Sequence, residues 1–315
     1  MSDFVIIPDT SCDMTKDLRE RFSIPDYIRG VVYFPDGHTE YSDIDWEIHN
    51  PKQFYESMTD KKTIYKTACA PTGEIIEVIE RQLLKGKDVL VITLSSGLSG
   101  TFQTCELARK ELSEKYPERK IICVDSKRYS TAISLLVILA AYKRDSGATI
   151  EQTAEFIEKY KYCVHQIGTM DDLFFLVKTG RISNFKAFFG TLVGINAMAD
   201  FNNKGLAEVL GKFKGKKAAF DALIKYMRET VVNPQEQIMF IAHSNRPQAA
   251  ELLAQMIEKE FSPKEIIITN VGMFCGCSIG PGLCVAFYFG TEMSEDMLKE
   301  KEIMNKIIEG QRSKK

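Results

Sequence analysis

Residues 89–107 read VLVITLSSGLSGTFQTCEL, and this stretch decides the fold. Val89 to Leu94 is an apolar run rich in β-branched residues, the pattern of a strand buried on both faces. Ser95, Ser96, Gly97, Leu98, Ser99, Gly100 and Thr101 break that run with hydroxyls and glycines. From Phe102 the apolar positions fall at helical spacing, with Cys105, Ala108 and Leu112 on the same face. A strand, a hydroxyl-rich turn and a helix in that order belong to an open parallel sheet, where ligands bind at the carboxyl ends of strands. Gly97 and Gly100 let backbone N–H groups come close to a ligand. The first N–H groups of the helix carry partial positive charge, and the hydroxyls add neutral donors. Such a turn suits a small anion, a carboxylate or a phosphate.

Working outward, the first half repeats this rhythm. Phe4 to Ile7 is a short strand ending in Pro8-Asp9-Thr10-Ser11-Cys12-Asp13, followed by a polar helix. Tyr27 to Phe34 and Thr63 to Ala68 read as extended, with a turn at Pro35-Asp36-Gly37 and a short helix from Pro51. Cys69 to Glu74 feeds an amphipathic helix closed by Gly86. Ile121 to Val124 is another buried strand, capped by Asp125-Ser126. A long apolar helix from about Tyr129 and a helix with Thr149 and Gln152 in capping-box spacing follow. The alternation predicts a parallel α/β sheet, with the loops after Ile7, Ala68, Leu94 and Val124 converging at one edge.

Near Tyr162 the rhythm changes. Met170 to Lys178 and the very apolar Phe185 to Leu192 read as short helices. Val193 to Phe201 and Leu206 to Leu210 form a hairpin about Asn202-Asn203-Lys204-Gly205. A helix from Lys212 and strands at Gln237–His243, Ile266–Val271 and Cys284–Phe289 complete an α+β half with an antiparallel or mixed sheet. The expected organisation is an α/β domain over residues 1–164 and an α+β domain over 165–315, with a ligand cleft between them. The chain's 315 residues suffice for two such domains.

Composition excludes several classes. A net charge of −2 gives no electrostatic reason to expect nucleic acid or an anionic membrane as a partner. No apolar run is long enough to span a bilayer, and the N-terminus lacks the basic region of a signal peptide. The eight cysteines include no CxxC pair, and with only four histidines no common zinc pattern forms, so no metal or other cofactor is expected. A reduced cytoplasm is the simplest setting. Neither GxxxxGK[ST] nor GxGxxG occurs, which argues against a nucleotide site. Gly97-Leu98-Ser99-Gly100 is half of a nucleophile elbow, but Thr101 stands where GxSxG needs glycine. His243 follows a strand, yet no acidic partner for a triad is evident. The remaining reading is a pocket for an amphiphile, its polar head on the hydroxyl turns and its tail among Phe174, Phe175, Phe185, Phe188, Phe189 and Ile195.

These segments together resemble the DegV family of fatty-acid-binding proteins. Asp9 to Asp13 matches the family's D-S/T-x-x-D. Thr67 to Glu74 is similar to a divergent T-S-Q-P-S-x-x-E. Leu94 to Thr101 matches L-S-S-G-L-S-G-T/S, and Val124-Asp125-Ser126 matches V-D-S. Asp171 to Ile182 is similar to D-x-L-x-x-L-x-K-G-G-R-I, and Gly280-Pro281-Gly282 matches G-P-G. The resemblance implies two domains with one long-chain fatty acid buried between them. It implies that Thr67 and Ser96 hold the carboxylate, with Ser95 a neighbouring alternative. It further implies a carrier in lipid transport and fatty acid metabolism rather than a complete enzyme. Some members of the family present the acid to a separate ATP-binding subunit of fatty acid kinase.

The chain departs from the family pattern in three places. Ser278 replaces the usual histidine of G-A-H-x-G-P-G. It can donate a hydrogen bond to the carboxylate but cannot carry imidazolium charge. Lys214 replaces the arginine of K-V-R, a point charge for a planar fork. Ala68 and Cys69 replace the Ser and Gln of the Thr67 segment. Lys214 and Arg181 are the expected contacts to a partner or phosphate. Two other readings stand beside this one: a hydrolase or acyltransferase using a serine of the same turn, and the same fold holding a different carboxylate or phosphate.

Overall fold

The strand and helix signals resolve, in a computed structural model, into thirteen strands and their helices; residues 4–183 and 195–313 are described. The expected helix over Phe185–Leu192, with Phe185, Phe188 and Phe189, lies outside the described residues. In chain order the strands are β1 Phe4–Pro8, β2 Val31–Tyr33, β3 Thr39–Tyr41, β4 Lys66–Ala68, β5 Asp88–Thr93, β6 Ile121–Asp125 and β7 Val164–Met170. They continue with β8 Ile182–Ser183, β9 Ile195–Phe201, β10 Ala207–Lys214, β11 Ile238–His243, β12 Glu265–Asn270 and β13 Leu283–Phe289. The chain divides into two compact units. The first comprises Met1–Asn50, Lys61–Lys161 and Gly272–Cys277, and the second Pro51–Asp60, Tyr162–Val271 and Ser278–Lys315.

In the first unit β1, β5 and β6 form a parallel sheet in the order β1-β5-β6. Ile7, Val89, Val91 and Ile121 pack with Ile75, Ile79, Cys105 and Leu112 of the helices Thr72–Leu83 and Thr101–Lys115. Ile6, Leu90 and Ile92 are buried as well, as expected of parallel strands covered on both faces. The helix Thr131–Asp145 is buried over most of its length, which explains its apolar sequence. Thr149 and Gln152 form the expected reciprocal capping box at 3.2 and 2.9 Å.

One expectation is corrected here. β2, β3 and β4 do not extend the parallel sheet but form their own antiparallel sheet, ordered β3-β2-β4. These strands are three residues each, and a tight turn with Gly37 at φ 95° joins β2 to β3. A short connection of this kind returns antiparallel, since a parallel return needs a crossover of a dozen residues or more. The loop after Ala68 therefore does not leave the edge of the parallel sheet.

The second unit is built on a mixed seven-stranded sheet, β12-β11-β13-β7-β9-β10-β8, matching the α+β expectation. β9 and β10 form the predicted hairpin, with Gly205 at φ 76° in its turn. β10 runs on to Lys214, so the following helix begins at Lys216 rather than Lys212. β7, not anticipated as a strand, lies between β13 and β9, and all seven of its residues are buried. On it, His165 Nδ1 lies 2.9 Å from Asp200 Oδ2 and Nε2 lies 2.9 Å from the Thr291 carbonyl, with Tyr288 stacked on the ring. Asp200 also accepts the Gln166 and Phe201 N–H groups and the Tyr226 hydroxyl. Truncating one member would strand several buried polar groups. Asp200→Ala should lower the unfolding free energy by about 3–5 kcal/mol; urea denaturation followed by circular dichroism tests this, and a loss under about 1 kcal/mol would show that the network is not structural.

Candidate ligand-binding site

Because β1, β5 and β6 are parallel, the loops after their carboxyl ends share one edge. Hydrogen bonds tie these loops together. Asp9, after β1, accepts the Leu94 N–H at 2.7 Å through Oδ2 and the Ser11 N–H at 2.8 Å through Oδ1; the Ser11 hydroxyl also donates to it. The Ser95 N–H donates to the Arg128 carbonyl at 3.1 Å, and the Ser126 N–H to the Thr93 carbonyl at 3.2 Å. Ser130, after β6, donates to Asp13, after β1. Asp13, Lys127 and Ser130 have φ values of 54°, 53° and 57°. Left-handed backbone at non-glycine residues costs energy and persists only where surrounding contacts fix it.

The hydroxyls of the organising turn separate into two groups. Ser95 is buried, and its Oγ accepts the Gly97 N–H at 3.1 Å. Ser99 Oγ accepts the Thr101 N–H at 3.3 Å and lies 2.9 Å from Thr101 Oγ1, at the start of the helix. These two serve the turn itself. Ser96 is half-buried, and its Oγ accepts from the Lys127 ammonium at 2.7 Å. Lys127 in turn lies 2.8 Å from Asp125 Oδ2, while Asp125 Oδ1 accepts the Ser96 and Lys127 N–H groups, each at 3.1 Å. Burial raises the Asp125 carboxyl, but hydrogen bonds from Lys127 and Ser96 outweigh this and leave it below its ordinary value. Asp125 belongs to the V-D-S segment. Lys127 escaped the sequence reading because nothing in it marks a lysine 31 residues from Ser96 as its neighbour.

Thr67 lies on β4, opposite Val32, and is half-buried. Two residues on, Cys69 Sγ is 3.9 Å from Thr104 Oγ1, in the first turn of the helix that leaves the hydroxyl turn. The Thr67 segment is thus held beside that turn from a different sheet.

Also missed was the helix Met273–Ile279. In the first unit, Cys275 Sγ approaches the Ser11 carbonyl at 3.4 Å and its carbonyl accepts the Tyr129 hydroxyl at 2.9 Å. Ser278, in the last turn of this helix, is buried and belongs to the second unit. There the Gly280-Pro281-Gly282 turn meets the Asp171 segment. The Asp171 N–H donates to the Gly282 carbonyl at 3.2 Å, and Arg246 donates to the same carbonyl at 2.8 Å while lying 3.4 Å from Asp171. Burial, and then the Arg246 charge, lower the His243 imidazole below its usual range. Arg181 and Lys214 are not brought together. Ile182, beside Arg181, pairs with Ala207 at the start of β10, and Lys214 ends that strand about 20 Å further along.

Asp13 makes this edge pH-sensitive. Burial pushes its carboxyl up to about 7 from an ordinary 3.8, with the Asp9 charge adding to the rise and the Ser130 hydrogen bond opposing it. Between about pH 4 and 7 the folded state keeps a proton that the unfolded chain has released, so this group's stability contribution is full below that window and is lost as pH rises through it. Asp13→Asn tolerates the positive φ and cannot titrate. Its urea midpoint should fall less than the wild type's between about pH 4 and 7; equal slopes would show that the held proton is elsewhere.

A sequence model described as "uncharacterised protein, DegV family" matches residues 3–291. A DegV domain-containing protein of Clostridium perfringens is 34% identical over 291 residues, 92% of this chain and 98% of the relative. A DegV lipid binding protein from Thermotoga maritima superposes with a TM-score of 0.80 at 25% identity, over 93% of this chain and 99% of that one. The fatty acid kinase B3 protein of Streptococcus pneumoniae, solved loaded with linoleic acid, shares the fold with a TM-score of 0.76 at 20% identity, over 92% of this chain and 99% of that one. With a family match that takes in every motif segment from Asp9 to Gly282, this chain belongs to the DegV family.

Proposed function

We propose that this chain binds a long-chain fatty acid, with Ser96 and Thr67 holding the carboxylate, and that it acts as a carrier rather than an enzyme. The observation that carries this reading is the joining of the loops after β1, β5 and β6 about the hydroxyl turn, where the half-buried Ser96 hydroxyl sits between the Lys127 ammonium and Asp125. Each buried methylene contributes about 0.8 kcal/mol, so the tail supplies most of the affinity and the hydroxyls set orientation. The lipid-binding relative from Thermotoga maritima supports the same ligand class. The hydrolase reading is weaker, since Ser99 is engaged in capping its own helix and the ammonium beside Ser96 is matched to Asp125. Among the described residues no helix is long and apolar enough to cross a membrane and no cluster could hold a metal ion. The eight free cysteines fit a carrier working in a reducing cytoplasm.

The fold shared with a fatty acid kinase B3 protein supports a second step, in which the bound acid is presented to an ATP-binding kinase subunit. Ser278 bears on that step, because a neutral hydroxyl cannot supply the positive charge of the family's histidine. Arg181 and Lys214 are proposed as contacts to the partner or its phosphate.

Native mass spectrometry of the purified protein should reveal co-purifying acyl chains that denaturation releases; a covalent serine adduct would instead establish the hydrolase reading. Thr67→Val with Ser96→Ala should weaken fatty acid binding about ten- to a hundredfold without unfolding the chain, and unchanged affinity in a fluorescent displacement assay would remove these residues from the head-group site. Ser278→His should raise acyl phosphate formation with a reconstituted kinase subunit; an unchanged rate would show that position 278 does not limit that step.

A further inference from the structure

Fatty acids travel among neutral lipids of equal chain length, and hydroxyls alone discriminate poorly between a carboxylate and an alcohol, since both accept hydrogen bonds. Selection for the acid calls for a fixed cation at the head group. In the first unit the loop after β6 supplies one. An ammonium has three N–H donors. The one at Lys127 uses one on Asp125 Oδ2 and one on Ser96 Oγ, and the third has no acceptor among the described residues. The lysine cannot swing away easily. Its backbone is held at φ 53° by its own N–H on Asp125 and by its carbonyl, which accepts from the buried Arg128 guanidinium at 3.2 Å. The side chain is 24% exposed, so it is reachable yet partly desolvated, a setting in which charge-assisted hydrogen bonds gain strength.

We propose that Lys127 is the charge-selecting residue of the head-group site: its third N–H binds the ionised carboxylate beside Ser96, and the Asp125 pairing fixes the ammonium in place for it. The consequence is a preference for anionic acyl ligands over neutral ones of the same chain. The inference rests on the fatty-acid reading. Asp125 does not repel the ligand, because its charge is already met by two N–H groups and the ammonium. Lys127 is a binding residue, distinct from the hydroxyls of the motif, and its donor set favours a carboxylate through charge and direction together.

The test compares oleate with oleyl alcohol by displacement of a fluorescent acyl probe. Wild type should prefer the acid. Lys127→Met should lose about tenfold or more in affinity for oleate while oleyl alcohol changes by less than about threefold. Alcohol binding doubles as the check that the loop is folded, and Lys127→Gln replaces the Met variant should that one fail the check. A second variant joins Lys127→Met to Asp125→Asn. If the lysine merely neutralised Asp125, this double variant would regain the acid preference, and that result would overturn the proposal; so would a single variant that keeps the preference. Wild type that binds neither lipid would instead overturn the fatty-acid reading itself.

Discussion

The Asp9 carboxylate is the contact on which the loops at the carboxyl edge of the parallel sheet depend. One of its oxygens takes the Leu94 N–H and the other takes the Ser11 N–H, so a single buried side chain joins the loop after β1 to the start of the hydroxyl turn after β5. Burying a carboxylate is costly unless hydrogen bonds replace the lost water. Here burial still prevails and raises the Asp9 carboxyl, with Leu94 and Ser11 opposing the rise. The cost is tolerated because no apolar residue could fix two loops at once. Asp13, four residues on, repeats the device toward Ser130. The D-S/T-x-x-D pattern is therefore architectural: its carboxylates face inward, to backbone and hydroxyl donors.

That division bears on why the proposed site would rely on hydroxyls. A carboxylate buried against Asp9, Asp13 and Asp125 would meet three acidic side chains. The structure meets those groups internally, through Leu94, Ser130 and Lys127 respectively, and Asp13 keeps a proton up to about pH 7. A donor without charge can sit beside an internal ion pair without disturbing it. Neighbouring serines take different roles through local geometry alone: Ser95 folds back on Gly97, Ser99 on Thr101, and Ser96 lies between Lys127 and Asp125.

The parallel core was legible in the sequence because Val89–Leu94 and Ile121–Val124 carry no polar interruption and each ends in a hydroxyl or carboxylate loop. The Asn202–Gly205 hairpin and the Thr149–Gln152 cap were legible for the same kind of reason, a local rule tied to a few residues. What stayed hidden lacks such a rule. β7 reads Val-His-Gln-Ile-Gly-Thr-Met, with neither alternation nor an apolar run, because both faces are buried and His165 on it is held by Asp200 and the Thr291 carbonyl. The helix Met273–Ile279 contains Gly276 and two cysteines, poor helix formers, and owes its place to packing against Ser11 and Tyr129. β2 to β4 carry strand propensity, but propensity does not state which sheet a strand joins.

The departures from the family pattern separate by place in the fold. The Ala68 and Cys69 replacements fall beside the helix that leaves the hydroxyl turn, where Cys69 still reaches Thr104 and Ala70 still packs in the core of the first unit. A small apolar side chain there leaves the Thr67 backbone positioned by β2, so the change alters polarity without moving the donor. Lys214 is different. It is exposed at the far end of β10 from Arg181, and a span of about 20 Å is far beyond what one phosphate group can bridge. Two cations so spaced cannot clamp a single small anion; they can only meet a surface. An arginine-to-lysine exchange at such a position forfeits bidentate geometry while keeping charge, and charge is what long-range steering of a macromolecular partner requires.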